Sequence, residues 1–175
     1  YFWPENFRIN DLAIGLIDRG YDVSVLTGIP NYPEGKFYKT YNVFGPKYEI
    51  YKNIKIYRSF IIPRGSGGKI QLFLNYLSFA VFGSLRIMFL SKNNYDLIFV
   101  HEPSPITVGL PAIVLKKIKK VPIAFWVMDL WPESVEIAGG LKSKFILNKI
   151  LSLVKYIYNY SDKILVTSKA FIPSI

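Results

Sequence analysis

The feature that most constrains this chain is an alternation in its second half. Short, near-continuously apolar runs at residues 96–100, 123–127 and 163–166 are separated by stretches at 106–119 and 141–159 whose apolar residues recur at helical spacing. Runs of that kind suit strands covered on both faces, and parallel strands need a crossover of the length that a helix supplies. The pattern predicts a βαβαβ succession and hence an α/β fold, a Rossmann-like, doubly wound parallel sheet.

The first half fits the same scheme less regularly. Residues 7–19 place Ile9, Leu12, Ala13, Leu16 and Ile17 on one helical face, with Gly20 where a C-terminal cap belongs. Residues 22–27, bounded by Gly20 and Gly28, read as a buried strand. An irregular stretch at 28–53, dense in Tyr, Pro, Gly and Lys, exceeds the usual connection in α/β units, and such loops often carry function. Its later part, with residues up to 58, reads as a hairpin turning near Asn53, Ile54 and Ile56 facing inward. Residues 70–90 are almost wholly apolar, but Gln71, Asn75, Ser78, Ser84 and Arg86 interrupt them, and Arg86 would be expensive at a bilayer centre. A long helix largely buried against the sheet is expected there, not a transmembrane span; the other reading lays one apolar edge on a membrane surface.

With 175 residues and 51% apolar composition, a single domain spanning 1–175 is expected. No strand precedes the first helix, so the innermost strand of the sheet is expected to be missing. The opening residues show neither an initiator Met nor the basic and apolar regions of a signal peptide. The chain has no Cys and one His, which excludes disulfides, thiolate metal sites and histidine clusters. No metal or cofactor is expected, and a cytoplasmic location suits the absence of cysteine. A formal charge of +10 favours an anionic surface: phospholipid, nucleic acid or a phosphorylated substrate.

Ligands of open α/β sheets bind beyond the carboxyl ends of the strands. Five polar, punctuated loops occupy those ends: Gly28-Ile29-Pro30-Asn31-Tyr32, Pro63-Arg64-Gly65, His101-Glu102-Pro103-Ser104-Pro105, Met128 through Ser134, and Thr167-Ser168-Lys169. They are expected to converge on one crevice.

Three segments carry a family resemblance: Tyr1-Phe2-Trp3-Pro4-Glu5-Asn6, Asn31-Tyr32-Pro33-Glu34-Gly35 and Asp129-Leu130-Trp131-Pro132-Glu133-Ser134. Their order and spacing resemble family-four glycosyltransferases of surface-polysaccharide assembly, and within them the N-acetyl-L-fucosaminyl and colanic-acid transferase subgroup, over essentially the whole chain. The resemblance implies the N-terminal domain of a GT-B glycosyltransferase, which binds the acceptor while a C-terminal domain grips a nucleotide-diphospho sugar. It also implies retention of anomeric configuration without a metal. The acidic donor-binding motif with two glutamates would lie beyond Ile175, so turnover by this part alone is not expected. Many relatives have a glycine-rich first loop; here Trp3-Pro4-Glu5 stands in its place, and a proline without an N–H beside a carboxylate is a poor phosphate cradle. Glu5 would equally serve the helix dipole.

Asp129 matches the position where relatives place an acidic residue or histidine near the reacting sugar. It is the candidate catalytic residue, orienting or deprotonating an acceptor hydroxyl or stabilising charge at the anomeric carbon; the alternative is a turn or helix-capping aspartate. Candidate substrate contacts are Glu133 to sugar hydroxyls, His101 and Glu102 as acid-base or sugar-binding groups, and Trp131 and Tyr32 as stacking surfaces. Arg64, among glycines, would meet the diphosphate of a lipid-linked acceptor. Each has a structural counterpart: a helix-dipole carboxylate, a hydrogen-bonded His101–Glu102 pair, packed rings, an exposed turn arginine. Lys116, Lys117, Lys119 and Lys120 suit a helix C-terminus, and with Lys142, Lys144, Lys149 and Lys155 they would also suit an anionic inner leaflet.

The expected function is the acceptor half of a transferase acting on a polyprenyl-diphosphate-linked saccharide, peripheral on the inner face of the membrane, with the donor-binding domain of the same protein as partner. A noncatalytic binding or membrane-docking module is the alternative. Nucleic-acid binding has no motif to support it, and no Gly-x-Gly-x-x-Gly follows a strand as a dinucleotide oxidoreductase requires.

Overall fold

The computed structural model of the protein describes residues 8–90, 92–137 and 140–175. The Tyr1-Phe2-Trp3-Pro4-Glu5-Asn6 motif, Glu5 included, lies outside the described residues. The chain divides into two compact units between Arg86 and Ile87.

In the first unit, helix α1 (Arg8–Ile17) buries Asn10 and Ala13 and is followed by strand β1 (Ser24–Gly28). The hairpin is formed by β2 (Tyr48–Tyr51) and β3 (Ile54–Ser59). Its two turn residues, Lys52 and Asn53, both have positive φ, 46° and 64°, the requirement of a two-residue turn whose twist matches that of the strands. The sheet order is β1-β3-β2, with β1 parallel and β2 antiparallel to β3. Ile54 and Ile56 face the core with Ala13, as their alternation predicts. Arg58 is buried at the end of β3, paired with Glu49 and stacked 4.6 Å from the Tyr41 ring, while the Tyr41 hydroxyl donates to Glu49 at 2.7 Å.

Helix α2 (Lys69–Leu90) has the expected length but not the expected burial. Ile70, Phe73, Leu77, Val81, Met88 and Phe89 are exposed, whereas the interrupting polar residues Asn75 and Ser78 are 6% and 5% exposed. The reason lies in the segment after β3. Its main chain has left the sheet by Ile62, whose N–H is accepted by the Ser78 hydroxyl at 2.8 Å and whose carbonyl receives the Asn75 amide. Orphaned main-chain groups near a helix draw its polar side chains inward. Among the described residues α2 is the one helix long and apolar enough to cross a membrane.

The second unit holds β4 (Ile98–Glu102), α3 (Gly109–Lys119), β5 (Ile123–Val127), the short α4 (Glu133–Ile137), α5 (Lys144–Tyr160) and β6 (Lys163–Val166). Its strands form an all-parallel sheet in the order β4-β5-β6. The Rossmann-like α/β expectation holds here element by element. Val100, Ile123, Phe125 and Val127 of the sheet are buried with Ile113 of α3 and Val154 and Ile157 of α5. Packing is tight enough that a Cβ on Gly109 would stand 2.7 Å from Ile157 and 2.9 Å from Phe125.

The lysine run has a structural task. Lys116 Nζ donates to Asp162 at 2.6 Å and to the Tyr160 carbonyl at 2.8 Å, and Asp162 also accepts the Ile123 N–H at 2.7 Å. The lysine hydrogen bond, followed by the amide, holds the Asp162 carboxyl below the usual carboxylate range. Lys117 stacks on the Tyr156 and Tyr160 rings. Two of the lysines expected to suit a membrane are therefore engaged within the protein.

Candidate functional site

In the first unit the structure brings Tyr32 and Arg64 together. Strand β1 runs into Ile29-Pro30-Asn31, all buried, and Asn31 has no exposed surface. Its side-chain N–H donates to the Ile29 carbonyl at 2.9 Å and its Oδ1 accepts the Arg64 main-chain N–H at 3.2 Å. The Gly35 N–H closes the Asn31 turn at 2.7 Å, and the Gly65 N–H donates to the Gly35 carbonyl at 2.8 Å. Gly35 has φ +73°, and a Cβ there would stand 1.8 Å from the Gly65 oxygen. The two loops are thus interlocked through glycine main chain.

Their outer surface forms an open crevice of about 170 Å³ lined by Tyr32, Pro33, Arg64, Gly65, Ser66 and Gly67. The Arg64 guanidinium lies 5.4 Å from the centre of the exposed Tyr32 ring, and the Tyr38 hydroxyl anchors the Tyr32 carbonyl at 2.7 Å. A cation beside an aromatic face suits a sugar carrying an anionic group. Sequence reasoning named both side chains and quoted Asn31, the residue that joins their loops, only as part of its loop; its position three residues beyond β1, ahead of Tyr-Pro, was the available signal.

In the second unit the ends of β4 and β5 hold the other candidates. The strands stay paired to their last residues, and the Met128 N–H adds a bond to the Glu102 carbonyl at 3.1 Å. Asp129 follows at the edge of the core, half-buried. Its main-chain N–H faces Glu102 Oε2 at 3.4 Å, and its Oδ2 accepts the Trp131 indole N–H at 3.2 Å. Helix α4 begins four residues later at Glu133, so the Asp129 carboxylate holds an indole and not a helix amide. Glu133 is exposed in the first turn, where a carboxylate meets the positive end of the helix.

His101 and Glu102 do not form the hydrogen-bonded pair expected of them. Successive strand residues point to opposite faces. His101 packs edge-on against Trp126 at 5.4 Å, and burial lowers its imidazole to about 4, so it is neutral at physiological pH. Glu102 is wholly buried, and burial, reinforced by the Asp129 carboxylate, pushes it up to about 8. A side chain without exposed surface reaches a substrate only through a neighbour. Tyr158 of α5 is raised above its ordinary value by burial first and then by the charges of Glu102, Glu133 and Asp129. Among the described residues no group of three or more His, Asp or Glu side chains is placed to hold a metal ion.

An α/β unit with a parallel sheet, carrying an aspartate and a tryptophan beyond its middle strand, is common to many enzymes. The deciding observation is that the model of Glycosyltransferase Family 4 matches residues 7–172. The chain belongs to Glycosyltransferase Family 4. The match includes the Asn31–Gly35 and Asp129–Ser134 loops of this family-four domain as well as its strands. A comparison with curated proteins finds no match. Membership makes the domain part of a glycosyltransferase, and its Rossmann-like α/β architecture agrees with the N-terminal domain of the GT-B fold.

Proposed function

We propose that this family-four domain is the acceptor-binding half of a bacterial glycosyltransferase that moves a sugar from a nucleotide-diphospho sugar to a lipid-linked saccharide during surface-polysaccharide synthesis. The observation that carries the reading is Asp129: a half-buried carboxylate beyond β5, steadied by the Trp131 indole. In this reading Asp129 orients or deprotonates the acceptor hydroxyl, or stabilises positive charge as it develops at the anomeric carbon. Trp131 stacks on a sugar face, Glu133 binds hydroxyls, and Arg64 with Tyr32 receives the acceptor diphosphate. His101, neutral and packed on Trp126, contributes shape, not charge.

The donor half is a further domain of the same protein, and transfer retains anomeric configuration without a metal, as the resemblance to the N-acetyl-L-fucosaminyl and colanic-acid transferases implies. The protein works in the cytoplasm against the inner face of the membrane. The charge of +10 supports that location, as do the exposed Lys149 and Lys155 of α5 and the exposed apolar side chains of α2.

The test is transfer from a panel of nucleotide sugars to polyprenyl-diphosphate acceptors by the gene's full-length product, with Asp129→Asn as the control. Transfer lost in the variant supports the reading. A full-length product that sediments with anionic vesicles but transfers nothing would favour a noncatalytic membrane-docking module.

A further inference from the structure

The reading above gives Asp129 the chemistry and leaves Glu102 without a task, although Glu102 is the more unusual group. It closes β4 with no exposed surface. Its Oε2 faces the Asp129 N–H at 3.4 Å and its Oε1 has no hydrogen-bond partner. Strand pairing does not need a carboxyl here, because the Met128–Glu102 main-chain bond already carries the β4–β5 ladder past its end. A buried polar oxygen without a partner is costly, and an apolar side chain would fill the same place without that cost.

We infer that Glu102 is a positioning residue for Asp129, holding its main chain from beneath and thereby setting the direction of the carboxylate that meets the acceptor. The inference rests on the proposed role of Asp129 and adds to it how that carboxylate is held. Glu102 does so as a neutral acid. Burial and the neighbouring carboxylate keep its proton on up to about pH 8. Among the described residues the titratable groups that act on it are Asp129 beyond β5 and the Tyr158 phenol of α5, with Glu133 of α4 acting on the same phenol, and no cation is among them. His101 lies on the other face of the strand. When Glu102 ionises, a second negative charge forms under Asp129 with no counter-ion among the described residues, and the loop from Met128 to Trp131 must shift to hydrate it.

Two readouts on the full-length product test this: the pH dependence of transfer, and the ¹⁵N-indole resonance of Trp131, whose N–H sits on Asp129. For the wild type we expect kcat to fall as pH rises through about 8, with little change in KM, and the Trp131 resonance to titrate in the same range. Glu102→Gln keeps the size, the neutral state and an acceptor oxygen, so it should stay within about threefold of wild type at pH 7 and lose both the alkaline limb and the titration. Glu102→Ala should lower kcat about ten- to a hundredfold with KM nearly unchanged. An alkaline limb that persists in Glu102→Gln, or a Trp131 resonance indifferent to the substitution, overturns the inference even if Glu102→Ala does not fold. The two ideas fail separately: full activity in Asp129→Asn overturns the role of Asp129. Activity lost in that variant, with a Trp131 resonance blind to Glu102, overturns only the positioning role.

Discussion

Asn31 holds Arg64 by the main chain: its buried Oδ1 accepts the Arg64 N–H at 3.2 Å while its amide N–H donates to Ile29 at 2.9 Å. One side chain therefore fixes the loop after β1 to the loop before α2, and Tyr32 and Arg64 share a crevice because of it. Asn31→Ala removes both bonds and strands a donor and an acceptor. It should destabilise the protein by about 2–3 kcal/mol in urea titration and raise KM for the acceptor more than it lowers kcat.

Gly35 is the second fixed point of that crevice. Alanine there would adopt a left-handed φ and drive its methyl carbon into the Gly65 carbonyl, 1.8 Å away. Gly35→Ala should cost at least about 3 kcal/mol, whereas Gly67→Ala, with an equally positive φ but open space around it, should cost about 1 kcal/mol. Comparing the two denaturation midpoints separates collision from backbone strain.

Asp129→Asn keeps an acceptor oxygen for the Trp131 indole and removes the charge. Transfer should fall about a hundred- to ten-thousandfold, with a melting temperature no lower than that of the wild type. The Glu102 carboxyl, relieved of a neighbouring charge, should then titrate below its wild-type value of about 8.

Stability should depend on pH in opposite senses through the two neighbours on β4. The folded His101 sheds its proton at about 4 and the free imidazole at 6.5. The unfolded chain thus binds more protons in that interval, and stability rises with pH across it. The folded Glu102 keeps its proton to about 8 against an ordinary 4.5. The folded chain binds more protons there, and stability falls as pH rises from 4.5 to 8. The two oppose each other up to about 6.5, and Glu102 acts alone of the pair from 6.5 to 8. Thermal melts should show a decline in that upper interval for the wild type and none in Glu102→Gln.

Asn75→Leu places an apolar residue of similar volume into a buried position of an apolar helix, a change that hydropathy alone would favour. It leaves the Ile62 carbonyl without its amide donor. We expect a loss of about 1–3 kcal/mol, measured by chemical denaturation, and recovery of part of it in Asn75→Gln.

The elements were legible because their signals are local. Helical spacing around Ile9 and Leu16, the turn at Asn53 and each strand or helix of the βαβαβ succession are signals within a single segment, and each predicted element is present. The candidate site was legible in part. Asp129 and Trp131 were named from one loop and are joined by a hydrogen bond, and Tyr32 and Arg64 were named from two loops and share a crevice. The His101–Glu102 pairing was misjudged because adjacency in sequence was taken for adjacency in space, against the alternation of a strand.

By itself the sequence determined the order of helices and strands, which loops lie at strand ends, and the absence of thiol chemistry, because periodicity, turn residues and composition act at short range. Only the tertiary structure decided which polar side chains turn inward. Asn31, Asn75 and Ser78 are buried because main-chain groups of Ile29, Arg64 and Ile62 need partners there, and those needs arise where the chain leaves its strands. Glu102 was a candidate substrate contact by its place at a strand end and became a buried acid because β4 and β5 pair to their last residues, carrying it beneath Asp129. Whether a polar group is paired or orphaned depends on a distant segment, and no local pattern records it.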